Sequence, residues 1–138
     1  MLRPLLMAAL ATMVTAPTIV SAQSLTRRDI FEIPVYALNA GSFEVIESDG
    51  AGGTQLWCAA GIYAREVLGQ RSGSLYIEEG RGPAVSLQGR VGVRFTTQPV
   101  PNAFSAFTQG VWRTGQVFSI NHAYALCNDT PNLRVQVR

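Results

Sequence analysis

The chain of 138 residues has no lysine, a single histidine and only two cysteines. Without lysine it cannot carry the nucleotide-binding P-loop motif, in which a lysine reaches the phosphates. Two cysteines and one histidine are too few to form by themselves a zinc site of three or four ligands. The composition therefore excludes a P-loop and a cysteine–histidine zinc centre, and we expect no metal and no cofactor.

The sequence also lacks an excess of charge of one sign. Eleven basic residues, all arginine, stand against nine acidic residues, and the formal net charge is +2. A protein that binds nucleic acid electrostatically carries a clustered basic face and a strongly basic domain. These arginines are scattered along the chain, and we therefore expect no nucleic-acid partner.

Long apolar runs are absent as well, and the longest one lies near the N-terminus, from Leu5 to Ala16. A membrane-spanning helix needs about 20 apolar residues, which is longer than this run. Arg3 precedes the run, and the small residues of Val20-Ser21-Ala22 follow it, which is the order found in a secretory signal peptide. The sequence predicts a signal peptide over residues 1–22 and a periplasmic or secreted protein that is not transmembrane after processing.

The residues that remain after cleavage, 23–138, are enough for a single small domain with one core. The best helix candidate lies between Thr54, a plausible N-cap, and Gly69, a plausible C-terminal stop, directly after a glycine-rich loop. Because this segment is apolar nearly all round, other elements must cover it. Alternating apolar and polar residues predict strands near 43–47, 74–79, 87–97, 117–127 and 133–137.

The predicted fold class is therefore α+β, with one buried helix packed on a mainly antiparallel sheet. The sheet should be wet on one side and covered by the helix on the other. The apolar stretch 30–38 contains Pro34, which suits an edge strand or an extended arm because proline cannot donate to the ladder.

The two cysteines, Cys58 and Cys127, both remain after cleavage. In an oxidising compartment a lone cysteine pair in a small domain is usually a disulfide. We predict a Cys58–Cys127 bond that joins the helix to the strand at 117–127.

A second interpretation uses the same cysteine as a nucleophile. Cys58 lies early in the predicted helix after a glycine-rich loop, and His122, the single histidine, lies far downstream in a predicted strand. This order is similar to that of the papain-like and NlpC/P60 cysteine hydrolases. The resemblance implies that Cys58 attacks an amide or peptidoglycan-type bond while His122 holds the thiol proton. A disulfide to Cys127 would remove that nucleophile.

The helix region carries a further resemblance. Its run Trp-Cys-Ala-Ala-Gly-Ile-Tyr-Ala, residues 57–64, follows a glycine-rich loop. It resembles the core of short exported alphaproteobacterial proteins. The resemblance implies export and a small α+β domain, and it implies no activity.

The segment after the proline-rich break at 99–102 is rich in aromatic residues. Phe104, Phe107 and Trp112 recur at near-helical spacing, and Gly110 and Gly115 would let the segment hinge. Aromatic side chains are enriched where proteins anchor their partners. We therefore expect Trp112 and at least one of the two phenylalanines to be partly exposed, and Trp57 in the helix to be buried.

These observations favour a non-catalytic exported protein that binds a partner protein or an envelope component. Its predicted binding residues are Phe104, Phe107 and Trp112. Two alternatives stay open at this level. One is the hydrolase with Cys58 and His122. The other is a small-ligand binder in which the aromatic segment forms a lid.

Processing after Ala22 can be tested directly. Mass spectrometry of the exported protein should give a mature N-terminus at Gln23, because a small residue then precedes the cut. A mature species that retains Met1 would contradict the predicted signal peptide.

Overall fold

The computed structural model of the protein describes residues 30–138, together with Met13. The predicted signal peptide and its cleavage site lie outside the described residues. Within the part of the chain that is described, no helix is both long and apolar enough to cross a membrane.

The described residues fold into one α+β domain, which confirms the predicted fold class. The strands are β1 (Phe31–Asn39), β2 (Ser42–Ile46), β3 (Ser74–Pro83), β4 (Val91–Thr96), β5 (Phe104–Ser105), β6 (Gln116–Ser119) and β7 (Leu133–Val137). The helices are α1 (Gly53–Ile62), which continues in a π-helical turn (Tyr63–Val67), and α2 (Ile120–Ala125), which continues in a 3₁₀ turn (Leu126–Asp129).

All seven strands belong to one sheet with the order β5-β6-β3-β4-β2-β1-β7. The four inner pairings are antiparallel. The two outer pairings, β5 with β6 and β1 with β7, are parallel. The sheet is therefore mainly antiparallel, as predicted, and parallel pairing is confined to its two ends.

Helix α1 is the covered helix that the sequence predicts. It begins two residues earlier than expected, because Gly52 is the N-cap and its N–H donates to the Gln55 side chain at 3.0 Å, so that the cap is not Thr54. Every residue from Leu56 to Gly61 is buried. The π-helical turn follows, and the chain leaves it at Gly69, where φ is +71°.

Trp57 lies at the centre of the core and is wholly buried, as expected. Its ring lies edge-on to Phe95 of β4, with 5.0 Å between centroids, and 4.5 Å from the ring of Phe118 of β6. Phe43 of β2 extends this aromatic cluster to Tyr63, at 4.3 Å. The helix thus packs on the central strands through large side chains that interlock.

The disulfide between Cys58 and Cys127 is present, with 4.9 Å between the Cα atoms. It joins α1 to the 3₁₀ turn after α2, rather than to a strand. In the chain-entropy model, closing a loop of 69 residues lowers the conformational entropy of the unfolded chain, which raises the free energy of unfolding by about 4 kcal/mol.

The strand predicted over 117–127 is wrong beyond Ser119. The Oγ atom of Ser119 accepts the N–H of His122 at 3.0 Å and caps α2, which places His122 on a helix. The apolar residues at 118, 120 and 124 have the alternating spacing that is typical of a strand. Close packing on α1 stabilises the helix instead, because Gly61 leaves room for the backbone of Tyr124.

Three smaller expectations also need correction. The strand predicted over 87–97 begins only at Val91, and β3 continues to Pro83, beyond the predicted end at residue 79. The segment around Pro34 lies inside the sheet, between β2 and β7. The pairing of β1 with β2 begins one residue later, at Val35, so the missing N–H of Pro34 lies outside that ladder.

The outer face of the sheet, which the helices do not cover, is only partly exposed to solvent. The loop 84–90 folds back over it, and the N–H groups of Val85 and Ser86 donate to the carboxylate of Glu44 at 3.0 and 2.8 Å. Glu44, on β2, is only 1 % exposed. A strand residue that would ordinarily face solvent therefore fixes a loop, because its charge is met by two backbone donors.

Candidate functional site

The cysteine and histidine proposed for hydrolysis are not available as a catalytic pair. Cys58 is wholly buried and its sulfur is bonded to Cys127. His122 is exposed on α2, with its ring edge-on to Phe118 at 4.6 Å. A disulfide sulfur cannot form the thiolate that the reaction needs, so the hydrolase hypothesis loses its nucleophile.

The aromatic segment, residues 104–115, runs from β5 to the start of β6. Phe107 is fully exposed and Trp112 is 68 % exposed, which confirms their expected exposure. Phe104 is half-buried, and Val111 is buried and belongs to the core. We call Phe107 and Trp112 the aromatic pair.

The backbone of the aromatic segment is hydrogen-bonded to the core. The indole Nε1 of Trp57 donates to the carbonyl of Gly110 at 3.1 Å. The N–H of Arg81 in β3 donates to the carbonyl of Val111 at 2.7 Å. These bonds tie the segment to α1 and to β3, one on either side of Val111.

The two glycines expected to act as hinges are part of this attachment. Gly110 accepts the bond from Trp57, and Gly115 donates to the carbonyl of Ile77 at 2.8 Å. Gly115 has φ +93°, a backbone conformation that favours glycine. The segment is thus hydrogen-bonded to the core at both glycines. The fold does not show the hinged flap that the sequence led us to expect.

Two other glycines let the segment approach closely. A Cβ atom on Gly53, at the start of α1, would lie 1.7 Å from the carbonyl oxygen of Gln109. One on Gly80, in β3, would lie 2.3 Å from the carbonyl oxygen of Trp112. Both distances are far below van der Waals contact, so these positions require glycine for the segment to lie where it does.

The side chain of Arg81 packs against the indole ring of Trp112. Its guanidinium carbon lies 4.7 Å from the centroid of the indole ring, within the range of a cation–π contact. Arg81 also makes a two-pronged ion pair with Glu47, in which Nη2 donates to Oε1 at 2.9 Å and Nε donates to Oε2. That pairing lowers the pKa of Glu47 and raises the pKa of Arg81. The indole therefore rests on a fixed, charged support.

The aromatic pair does not cover one common cavity. Trp112 lines a cleft of about 270 Å³ beside the start of α1, together with Leu56 and Val111. Phe107 lines a separate hollow of about 370 Å³ beside β6 and His122. The first volume lies below the range of roughly 300–1,000 Å³ that is usual for small-molecule sites, and the second lies near the lower end of that range. The geometry therefore does not favour a lid over a single ligand.

Sequence reasoning missed the residues that support Trp112 and the outer sheet face. No motif linked Glu47 to Arg81, which are 34 residues apart, and Glu44 carried no local signal for its buried position. Within the described residues, no group of three or more histidine, cysteine, aspartate or glutamate side chains could hold a metal ion.

No family model, curated protein or solved structure matches the chain. The resemblance to short exported alphaproteobacterial proteins stays a prediction.

Two glycines of β3 test the docking of the aromatic segment. Gly80→Ala should lower the free energy of unfolding by about 1–3 kcal/mol, because the added methyl group meets the carbonyl of Trp112 and overpacks the contact. Gly82→Ala is the matched control, since its nearest neighbour would be Gly80 O at an ordinary 3.7 Å. Urea denaturation measures both, and equal stability of the two variants would contradict the close approach.

Proposed function

We propose that this protein is a non-catalytic binding protein of the periplasm or the external medium, and that it docks a partner protein through the aromatic pair. The observation that carries the proposal is the exposure of Phe107 and Trp112 on a segment whose backbone is hydrogen-bonded to α1 and β3. Large aromatic side chains are costly to leave in water when nothing covers them.

Preorganisation supports a binding role. Association ordinarily loses free energy when loops and side chains become ordered at an interface. Here the backbone near Trp112 is already fixed by Arg81 and Trp57, and the indole rests on the guanidinium of Arg81. Binding at this surface would therefore require little further ordering. Tryptophan and arginine are also among the residues that most often dominate interface energies.

The shape of the surface favours a protein over a small ligand. Phe107 and Trp112 line two separate hollows, one beside β6 and one beside the start of α1. A macromolecule can insert one side chain into each hollow, whereas a small ligand would occupy only one. An envelope polymer could span both, and the experiment below distinguishes it from a protein.

Export is part of the proposal. The Cys58–Cys127 bond is of a kind that persists in oxidising compartments and is rare in the cytosol. Residues 1–22 have the composition of a secretory signal peptide. Both features support a protein that works outside the cytoplasm.

Site-specific photo-crosslinking tests the proposal. A benzoylphenylalanine placed at position 107 or 112 of the full-length, exported protein should give an adduct of defined mass after irradiation of intact cells. Position 85 is the matched control, because Val85 is 63 % exposed and lies in the loop 84–90, outside the aromatic segment. Digestion with protease or with a peptidoglycan hydrolase then identifies the class of partner.

The expected result is a protease-sensitive adduct from positions 107 and 112 and none from position 85. Trp112→Ala should abolish the adduct formed from position 107, because both side chains contact the same partner. Adducts no stronger than at position 85 would contradict the proposed surface. An adduct sensitive only to the peptidoglycan hydrolase would contradict a protein partner.

A further inference from the structure

The loop between β2 and α1 contains the one aspartate or asparagine in the chain that is followed by glycine, in the pair Asp49-Gly50. Every other aspartate and asparagine precedes a residue that has a side chain. The following residue matters because its backbone nitrogen can attack the carboxyl group of the aspartate side chain. Glycine has no Cβ atom to hinder that close approach.

Asp49 and Gly50 are the two central residues of a tight turn. The N–H of Ala51 donates to the carbonyl of Ser48 at 2.9 Å, and φ is +52° at Asp49 and +75° at Gly50. Positive φ at both central residues is the pattern of a type I′ turn, in which Asp-Gly is a favoured pair. The left-handed conformation costs free energy for a residue with a Cβ atom, and opening the turn recovers part of that cost.

The tip of this turn is exposed, whereas both its ends are fixed. Asp49 and Gly50 are exposed, and a Cβ atom on Gly50 would have no atom within 4 Å beyond its chain neighbours. On one side, the N–H of Glu47 donates to the carbonyl of Val91 at 2.8 Å. On the other side, Ala51 is buried in the core. The turn can therefore open in water while the rest of the domain stays folded.

We propose that Asp49 is a modification site, at which the folded protein isomerises spontaneously to isoaspartate. The backbone nitrogen of Gly50 attacks Cγ of Asp49. The nitrogen's proton and the hydroxyl group of the carboxyl leave as water, and a five-membered succinimide ring forms. Water then attacks the backbone carbonyl carbon of Asp49, whose bond to the Gly50 nitrogen breaks, so that this nitrogen stays bonded to Cγ.

The reaction releases one water molecule and consumes one, so the mass of the protein is unchanged. It needs no oxidant, cofactor or enzyme. It also needs no partner, and the inference therefore goes beyond the proposed function.

Isomerisation lengthens the main chain between two fixed points. The isoaspartyl main chain runs through Cβ and Cγ of Asp49, which adds one methylene group between Glu47 and Ala51. The added atom enlarges the ring that the bond from Ala51 to Ser48 closes, and we expect that hydrogen bond to be lost. Ala51 also lines the cleft beside Trp112, so the wall of that cleft should change as the protein ages.

Ageing of the folded, processed protein at neutral pH tests the inference. After reduction and digestion, liquid chromatography should separate a second form of the peptide that contains residues 49 and 50. This form should have an unchanged mass and a shifted retention time, and its share should grow with incubation. It should accept a methyl group from protein isoaspartyl methyltransferase, and electron-transfer fragmentation should place the isomer at Asp49. Asp129, which precedes Thr130, is the internal control and should give no such form.

Two substitutions change the rate in opposite directions. Asp49→Asn keeps a residue that tolerates positive φ and should react faster, because ammonia leaves in place of water. Gly50→Ala places a methyl group beside the attacking nitrogen and should slow the reaction at least several-fold. Circular dichroism checks that each variant is folded.

Three results would overturn the inference. One is isoaspartate that forms equally at positions 49 and 129. Another is a reaction that neither Asp49→Asn accelerates nor Gly50→Ala slows. The third is an isomer that forms in urea and not in the folded protein, because the native turn would then protect Asp49.

Discussion

The structure depends on one constraint, the need to cover helix α1 on every side. From Leu56 to Gly61 the helix has no exposed residue, and most of these side chains are small. The sheet covers one side through the ring of Trp57, and α2 covers another, where Gly61 meets the backbone of Tyr124. The disulfide of Cys58 fixes the turn that follows α2. Helix α2 and the turn after it are thus placed by their packing on α1 and by the disulfide.

The same constraint explains the aromatic segment. The start of α1 is covered by backbone, not by side chains, because Gly53 admits the carbonyl of Gln109. The buried indole of Trp57 needs a hydrogen-bond acceptor, and the carbonyl of Gly110 provides it at 3.1 Å. The side chain of Val111 is then buried in the core, whereas that of its neighbour Trp112 stays exposed and packs against the guanidinium of Arg81. An exposed tryptophan on a fixed backbone is therefore a consequence of how the helix is covered.

Elements with a strong local pattern could be predicted from the sequence. The apolar run of α1, the alternation in β4 and the lone cysteine pair each led to the observed helix, strand and disulfide. Prediction failed where a contact distant in sequence decides the structure. The alternation after Phe118 fits a strand or a helix, and the cap at Ser119 with packing on Gly61 selects the helix. The Arg81–Glu47 pair and the loop bonds to Glu44 join residues more than 30 positions apart, which no local pattern reveals.

Amide hydrogen exchange tests the central claim, that the exposed aromatic pair is carried by a docked backbone. The two reporting amides are Arg81, which donates to Val111, and Gly115, which donates to Ile77. Both should exchange as slowly as the amides of the β3–β4 ladder, because opening them requires the segment to leave the core. If both exchange at the rate of an unstructured chain while the ladder stays protected, the segment is a mobile flap and the account is wrong.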